Sequence, residues 1–194
     1  MTIGKALAAT LLTGVLCLPA LAQAPQATSS GQQAAAQSGD MNNNGGAVSS
    51  AEQEFVTKAA QGDRAEVELA KLALQKSNNP DVKEFAQRMV DDHTKNQQQA
   101  DTLASQLSIT APSSASPQQQ QEKSRLEGLS GDQFDRTYAR LMLQDHRKDV
   151  NEFKQEQHTA KNPNIKQFVD ETLPVLEQHL QMAQQLNSKM GSSR

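Results

Sequence analysis

One short segment occurs twice in this chain, and the repeat constrains the fold more than any other feature. Residues 79–85 read NPDVKEF, and residues 162–168 read NPNIKQF. Asn followed by Pro is a typical helix start, because Asn caps the free amide groups and Pro suits the first helical position. Each copy follows another amphipathic segment, so the sequence predicts two helical hairpins. A single hairpin cannot cover its own apolar stripe, and the two must therefore pack on each other.

The helix signals and the composition predict an all-α fold, a four-helix bundle built from these two hairpins. Aromatic residues make up only 3% of the chain and the mean hydropathy is -0.69. A core of this kind depends on Leu, Ala, Val and Met in narrow stripes, which disfavours most β architectures. Within residues 49–190, the bundle is expected to have helices at about 51–77, 79–108, 130–160 and 163–188.

The first 22 residues have the features of a secretory signal peptide. Lys5 precedes an apolar run over residues 6–18, and Ala20-Leu21-Ala22 is a small-x-small cleavage site. We expect cleavage after Ala22 or Ala24 and export to the periplasm. The apolar run is shorter than the roughly 20 residues of a spanning helix, so an uncleaved anchor is only the alternative, and no transmembrane segment is expected in the mature chain. Cys17 leaves with the signal peptide, which excludes disulfides and thiol chemistry from the mature protein.

Two further segments read as connections rather than as packed elements. Residues 23–48 are rich in Gln, Ala, Ser, Gly and Asn, a composition typical of a disordered tether. Residues 110–121 contain two prolines and four consecutive glutamines, and they are predicted to link the two hairpins. Whether this linker crosses the length of the bundle is left open by the sequence.

Polar residues interrupt the apolar stripe of each predicted helix near its middle. Advancing by about 100° per residue places six of them among inward-facing apolar neighbours. These candidate site residues are Glu66, His93, Asp145, His146, Asp149 and His179. His158 points away from the stripe and is predicted to lie on the surface.

Two interpretations explain such residues in a core, where an unpaired charge costs several kcal/mol. One is a bound divalent transition metal, because imidazole and carboxylate suit iron, manganese, zinc and copper. The other is a closed Asp/Glu–His hydrogen-bond network that sets the register of the bundle. A haem held by two histidines is a third possibility, although no Cys-x-x-Cys-His site for covalent haem exists. Val90 and Leu143 stand where Glu-x-x-His motifs would need Glu, which argues against di-iron oxidase chemistry.

Four motifs in this order resemble one family of bacterial exported proteins, known as domain of unknown function 4142. They lie at residues 85–95, 129–135, 145–150 and 172–180, and the resemblance covers roughly residues 51–188. The resemblance implies a ferritin-like fold and a signal peptide, and it implies no established activity.

Function therefore narrows to two main hypotheses. The first is a periplasmic metal-binding bundle for sequestration or stress protection. The second is a non-enzymatic envelope protein whose polar surface contacts a protein or the cell wall. An enzyme is the least favoured class, because no nucleophile constellation or Gly-rich phosphate loop is present and no catalytic residue is assigned. Nucleic acid is not an expected partner, since the net charge is -3 and no basic run occurs.

Overall fold

A computed structural model describes residues 48–192 of the 194-residue chain, and all regular structure in this range is α-helical. The prediction of an all-α fold is confirmed. There are five helices in the described range: α1 (Ser50–Lys76), α2 (Pro80–Gln106), α3 (Pro117–Glu127), α4 (Gly131–Thr159) and α5 (Pro163–Ser192). None of these helices is long and apolar enough to cross a membrane. The predicted signal peptide and nearly all of the predicted tether lie outside the described residues.

Side chains satisfy free amide groups at the starts of α1, α2 and α5, whereas Ser130 at the start of α4 makes no capping hydrogen bond. Ser49 and Glu52 form a capping box at α1, and Asn79 accepts hydrogen bonds from the amides of residues 81 and 82 at α2. Asn162 accepts from the amides of residues 164 and 165 at the start of α5. The two Asn-Pro segments thus start helices by the same local chemistry.

The predicted linker contains a helix, which raises the number of helices from the expected four to five. Helix α3 begins inside residues 110–121, where the sequence predicted only a connection. Its start combines the signals of α1 and α2, since Ser116 and Gln119 form a capping box and Pro117 occupies the first turn. The Gln-rich sequence did not predict this helix, because only Leu126 of the helix is buried and it has no apolar stripe.

The helices run alternately up and down the molecule. Helix α1 packs along α2, α4 packs along α5, α2 contacts α5, and α3 contacts both α1 and α4. At one end, the amides of Lys161 and Asn162 donate to Glu52, which joins the start of α1 to the α4–α5 turn. At the other end, the Lys76 ammonium donates to the carbonyl of Glu127. Helix α2 therefore ends far from the start of α4, and the segment containing α3 spans the length between them.

The apolar core is divided in two. One cluster includes Leu69, Met89 and Met142, and the other includes Val56, Ala100 and Val169. On each of the four long helices, a buried polar residue lies between its contributions to the two clusters, and on α1 it is accompanied by Asp63 one turn earlier. These four residues, called here the polar layer, are Glu66, His93, His146 and His179.

Glu52 is expected to contribute about 3 kcal/mol to stability at neutral pH. Burial alone would raise its pKa, but hydrogen bonds from Asn162, Ser49 and Lys161 lower it to about 2. A carboxylate with a lowered pKa stabilises the fold above its unfolded value of 4.5, and this contribution is lost as the pH falls from 4.5 towards 2. Chemical denaturation of Glu52→Gln at pH 7 should show the loss, and the difference from wild type should vanish near pH 2.

The matched control is Glu54→Gln, which removes an exposed carboxylate whose recorded partner is Lys58 on the same helix. It should leave the unfolding free energy close to that of wild type. Equal stability of Glu52→Gln and Glu54→Gln at pH 7 would contradict the proposed tie between α1 and the α4–α5 turn.

Candidate metal centre

The polar layer brings three histidines from three helices into one small volume. His93, His146 and His179 are at most 3% exposed, and each offers one ligand atom within 4.8 Å of the others. Their ring centroids are 5.1 to 5.6 Å apart. Glu66, from the fourth long helix, is 3% exposed beside them. The four positions converge because each lies near the middle of its helix on the inward face.

One nitrogen of each imidazole is held by an acceptor outside this group. His93 Nδ1 is 2.9 Å from Asp63 Oδ1, and His146 Nδ1 is 2.9 Å from the Met142 carbonyl oxygen. His179 Nε2 is 2.8 Å from Asp92 Oδ2. Carbonyl and carboxylate oxygens accept hydrogen bonds, so these nitrogens are the donors. Metal-binding histidines are commonly oriented in this way.

The other nitrogen of each ring makes no hydrogen bond. These atoms are His93 Nε2, His146 Nε2 and His179 Nδ1. Both carboxylate oxygens of Glu66 also lack a hydrogen bond. Glu66 Oε2 is in ion-pair contact with His93 Nε2. Glu66 Oε1 lies 3.4 Å from His146 Nδ1. Buried polar atoms almost always have partners, so His146 Nε2 and His179 Nδ1, which have neither a hydrogen bond nor an ion-pair contact, require an explanation.

Without a metal, the polar layer holds one ion pair and two neutral imidazoles. Burial lowers the pKa of His93, but Glu66 and Asp63 raise it well above its usual range. Burial raises the pKa of Glu66, but the imidazoles of His146 and His93 lower it to about 2. Burial lowers the pKa of His146, and burial together with the charge on His93 lowers that of His179 to about 4. The charged partner of Glu66 is therefore His93.

A second set of residues supports the layer from outside. Asn96 Nδ2 donates to both oxygens of Asp63, at 3.0 and 2.9 Å, and Thr172 Oγ1 donates to Asn96 Oδ1 at 2.8 Å. Asp63, Asn96 and Thr172 are not among the site residues predicted from the sequence. Helical spacing could have identified two of them from the sequence. Asp63 lies three residues before Glu66 and Asn96 lies three residues after His93, so each pair shares one helix face.

Asp145 and Asp149 lie beside the layer rather than in it. Both are partly buried, and they line a cavity of about 290 Å³ together with Glu66 and residues of α1 and α3. Burial and the negative charge of Glu66 raise the pKa of Asp145 to about 7 and that of Asp149 well above its usual range. The structure thus brings Glu66 and three of the histidines together and leaves the two aspartates at the adjoining cavity. His158 is exposed.

Solved structures share this fold at low sequence identity. A DUF305 fragment from Deinococcus radiodurans has a TM-score of 0.65 at 16% identity, covering 74% of this chain and 99% of that chain. A DUF305 protein from Streptomyces coelicolor, described as secreted, has a TM-score of 0.63 at 16% identity, covering 75% and 96%. CopM in its Cu(II)-bound form has a TM-score of 0.59 at 17% identity, covering 71% and 95%. These likenesses concern the fold alone.

Family membership follows from the sequence itself. No curated protein matches the chain in sequence. A family model does match, over residues 32–186, which is most of the chain and includes the whole polar layer. The protein therefore belongs to the family described as domain of unknown function (DUF4142).

Proposed function

We propose that this protein is an exported metal-binding helical bundle, which holds one divalent transition-metal ion in the polar layer. The ligands would be His93, His146 and His179, with Glu66 as the fourth. One observation carries the proposal: three buried imidazoles offer ligand atoms within 4.8 Å of one another, and one nitrogen of each ring is held by an acceptor outside the group.

The donor set favours copper or zinc. Imidazole suits both ions, and affinity among divalent first-row metals is greatest for Cu²⁺. Zn²⁺ also takes His nitrogen and Glu oxygen as ligands, with four ligands in tetrahedral geometry. A bound ion would supply positive charge beside Glu66 in place of the proton on His93. The fold likeness to CopM, described in Cu(II)-, Cu(I)- and Ag-bound forms, makes copper the first ion to test.

The arrangement suits holding a metal ion more than catalysis. Four protein ligands complete the coordination of a tetrahedral ion, whereas catalytic sites keep one position open for water or substrate. The signal-peptide features of residues 1–22 and the DUF305 relative described as secreted support a place in the periplasm. Metal sequestration or stress protection in the envelope is the role we infer.

The topology supports the finer classification of the fold. Two antiparallel hairpins, α1–α2 and α4–α5, are connected by one segment that spans the length of the molecule. A single long crossover is the connection found in ferritin-like bundles. We infer a ferritin-like four-helix bundle with α3 as an addition to its crossover.

A purely structural polar layer is the second candidate function. It is favoured by the His93–Glu66 ion pair and by the hydrogen-bond chain from Asp63 through Asn96 to Thr172. In this alternative, the protein is a non-enzymatic envelope component, and the network sets the register of the helices.

Elemental analysis and metal titration distinguish the two. Protein purified from the periplasm without an affinity tag should contain, or take up, about one Cu²⁺ or Zn²⁺ per chain. At free metal of about 100 times Kd, binding should add about 2.7 kcal/mol to the unfolding free energy, and a chelator should remove it. His158→Ala, which deletes an exposed histidine, is the matched control and should bind like wild type. If chelator does not change the unfolding temperature and no stoichiometric metal uptake is found, the structural candidate is the one supported.

A further inference from the structure

Two cavities adjoin the polar layer, on opposite sides of the molecule. The first, about 290 Å³, is lined by α1 and α4, with Ser116, Gln119 and Glu122 from the α3 region along one side. The second, about 280 Å³, is lined by α2 and α5 and includes Asn96, Thr172 and His179. A buried site that exchanges an ion with solvent needs a route, and these cavities are the two candidates.

Three carboxyl groups that line the first cavity already have partners within the described residues: Asp63 bonds to His93 and Asn96, Glu122 accepts from Gln118, and Glu152 is paired with Lys148. Asp145 and Asp149 take part in no hydrogen bond or ion pair there. At the inner end, Glu66 is 3% exposed and both of its oxygens lack hydrogen bonds. Lys58 and Lys148 also line this cavity, but each is paired with a glutamate one turn away on its own helix. Carboxylate oxygens therefore extend from the cavity to the polar layer.

The polar groups of the second cavity are already engaged. Asp92 contacts Arg88 and His179, and Asn96 bonds to both Asp63 and Thr172. Lys95 adds a positive charge to the lining. A cation entering on this side would have to break bonds that support the histidines.

A glycine lies in the lining of the first cavity. Gly62 lies inside α1 and lines the cavity, and an added Cβ would meet no atom within 4 Å. Glycine in a helix interior costs about 0.5–1 kcal/mol relative to alanine. Packing does not require that cost here, since the space would accept a methyl group.

We propose that the cavity between α1 and α4 is the entry route for a divalent cation, with Asp145 and Asp149 as transient oxygen ligands on the way to Glu66. This inference rests on the function proposed above. A hydrated cation in the cavity would exchange part of its water shell for carboxyl oxygens, which lowers the cost of entering a buried site.

The rate of metal uptake tests the role of the two aspartates. Stopped-flow mixing of metal-free protein with Cu²⁺ at low ionic strength should show uptake about 10-fold slower in Asp145→Asn/Asp149→Asn, with a smaller change in equilibrium affinity. The control Glu84→Gln/Asp170→Asn makes the same carboxyl-to-amide changes at exposed positions and should bind at nearly the wild-type rate. An equal rate in both double variants would overturn the proposal.

A plug in the cavity tests the route independently of charge. Gly62→Phe should slow both uptake of Cu²⁺ and its release to a chelator while leaving the affinity nearly unchanged, whereas Gly62→Ala should behave like wild type. Uptake and release of Cu²⁺ at the wild-type rate in Gly62→Phe would overturn the proposed route and show that the ion enters on the α2–α5 side. Faster release from the aspartate variant, with normal uptake, would make the aspartates ligands of the bound ion and overturn their transient role. Failure of wild type to take up Cu²⁺ at all would instead remove the proposed function itself.

Discussion

Replacing His93 with alanine is expected to lower the unfolding free energy of the metal-free protein by about 3–5 kcal/mol. His93 is the charged partner of Glu66 and also bonds to Asp63, and all three side chains are buried. Removing one member of a buried ion pair leaves an uncompensated charge, which costs more than the pair itself contributed. Urea denaturation of His93→Ala in the presence of a chelator should measure the loss. His158→Ala should differ little from wild type.

The effect of His93 should depend on pH in a defined way. Glu66 has a lowered pKa, so its contribution is complete above 4.5 and falls as the pH drops towards 2. His93 has a raised pKa, so its contribution is complete below 6.5 and is lost as the pH rises through the raised value. The difference between wild type and His93→Ala should therefore be greatest between about pH 4.5 and 6.5. A loss below about 1 kcal/mol in that window would show that this pair does not hold the layer together.

Replacing His146 with leucine is expected to lower the affinity for Cu²⁺ by at least about 100-fold. Changes to residues behind a metal ligand already cost 10- to 100-fold, and this substitution removes a proposed ligand. The stability of the metal-free protein should change by less than about 2 kcal/mol. Burial keeps His146 neutral, and leucine fills much of the same space in contact with the apolar core. Isothermal titration of both proteins with Cu²⁺ gives the affinity, and denaturation with chelator gives the stability.

The two substitutions together separate the metal hypothesis from the structural one. In a purely structural layer, neither variant changes a specific metal affinity, because there is none. If the layer binds metal, His146→Leu should lose affinity while remaining nearly as stable as wild type. His146→Leu with unaltered Cu²⁺ affinity would exclude His146 as a ligand.

The four long helices were accessible to sequence reasoning because their signals are local. A capping box at Ser49 and the Asn-Pro pairs at 79 and 162 act within one turn of the chain. Helix α3 has the same kind of start at Ser116, but it lacks the apolar stripe that distinguishes a packed helix from a polar connection. Its place beside α1 and α4 depends on where α2 ends and α4 begins, which is a property of the whole fold.

The sequence by itself determined the all-α class, the family, and the inward positions of Glu66 and the three histidines His93, His146 and His179. These follow from the 3.6-residue period and from motif order, which do not depend on distant contacts. Only the tertiary structure decided that His93 bonds to Asp63 and His179 to Asp92, and that Asp145 and Asp149 line a cavity instead of joining the histidines. The rotation and height of each helix against its neighbours control these contacts, and both are set by packing across the whole molecule.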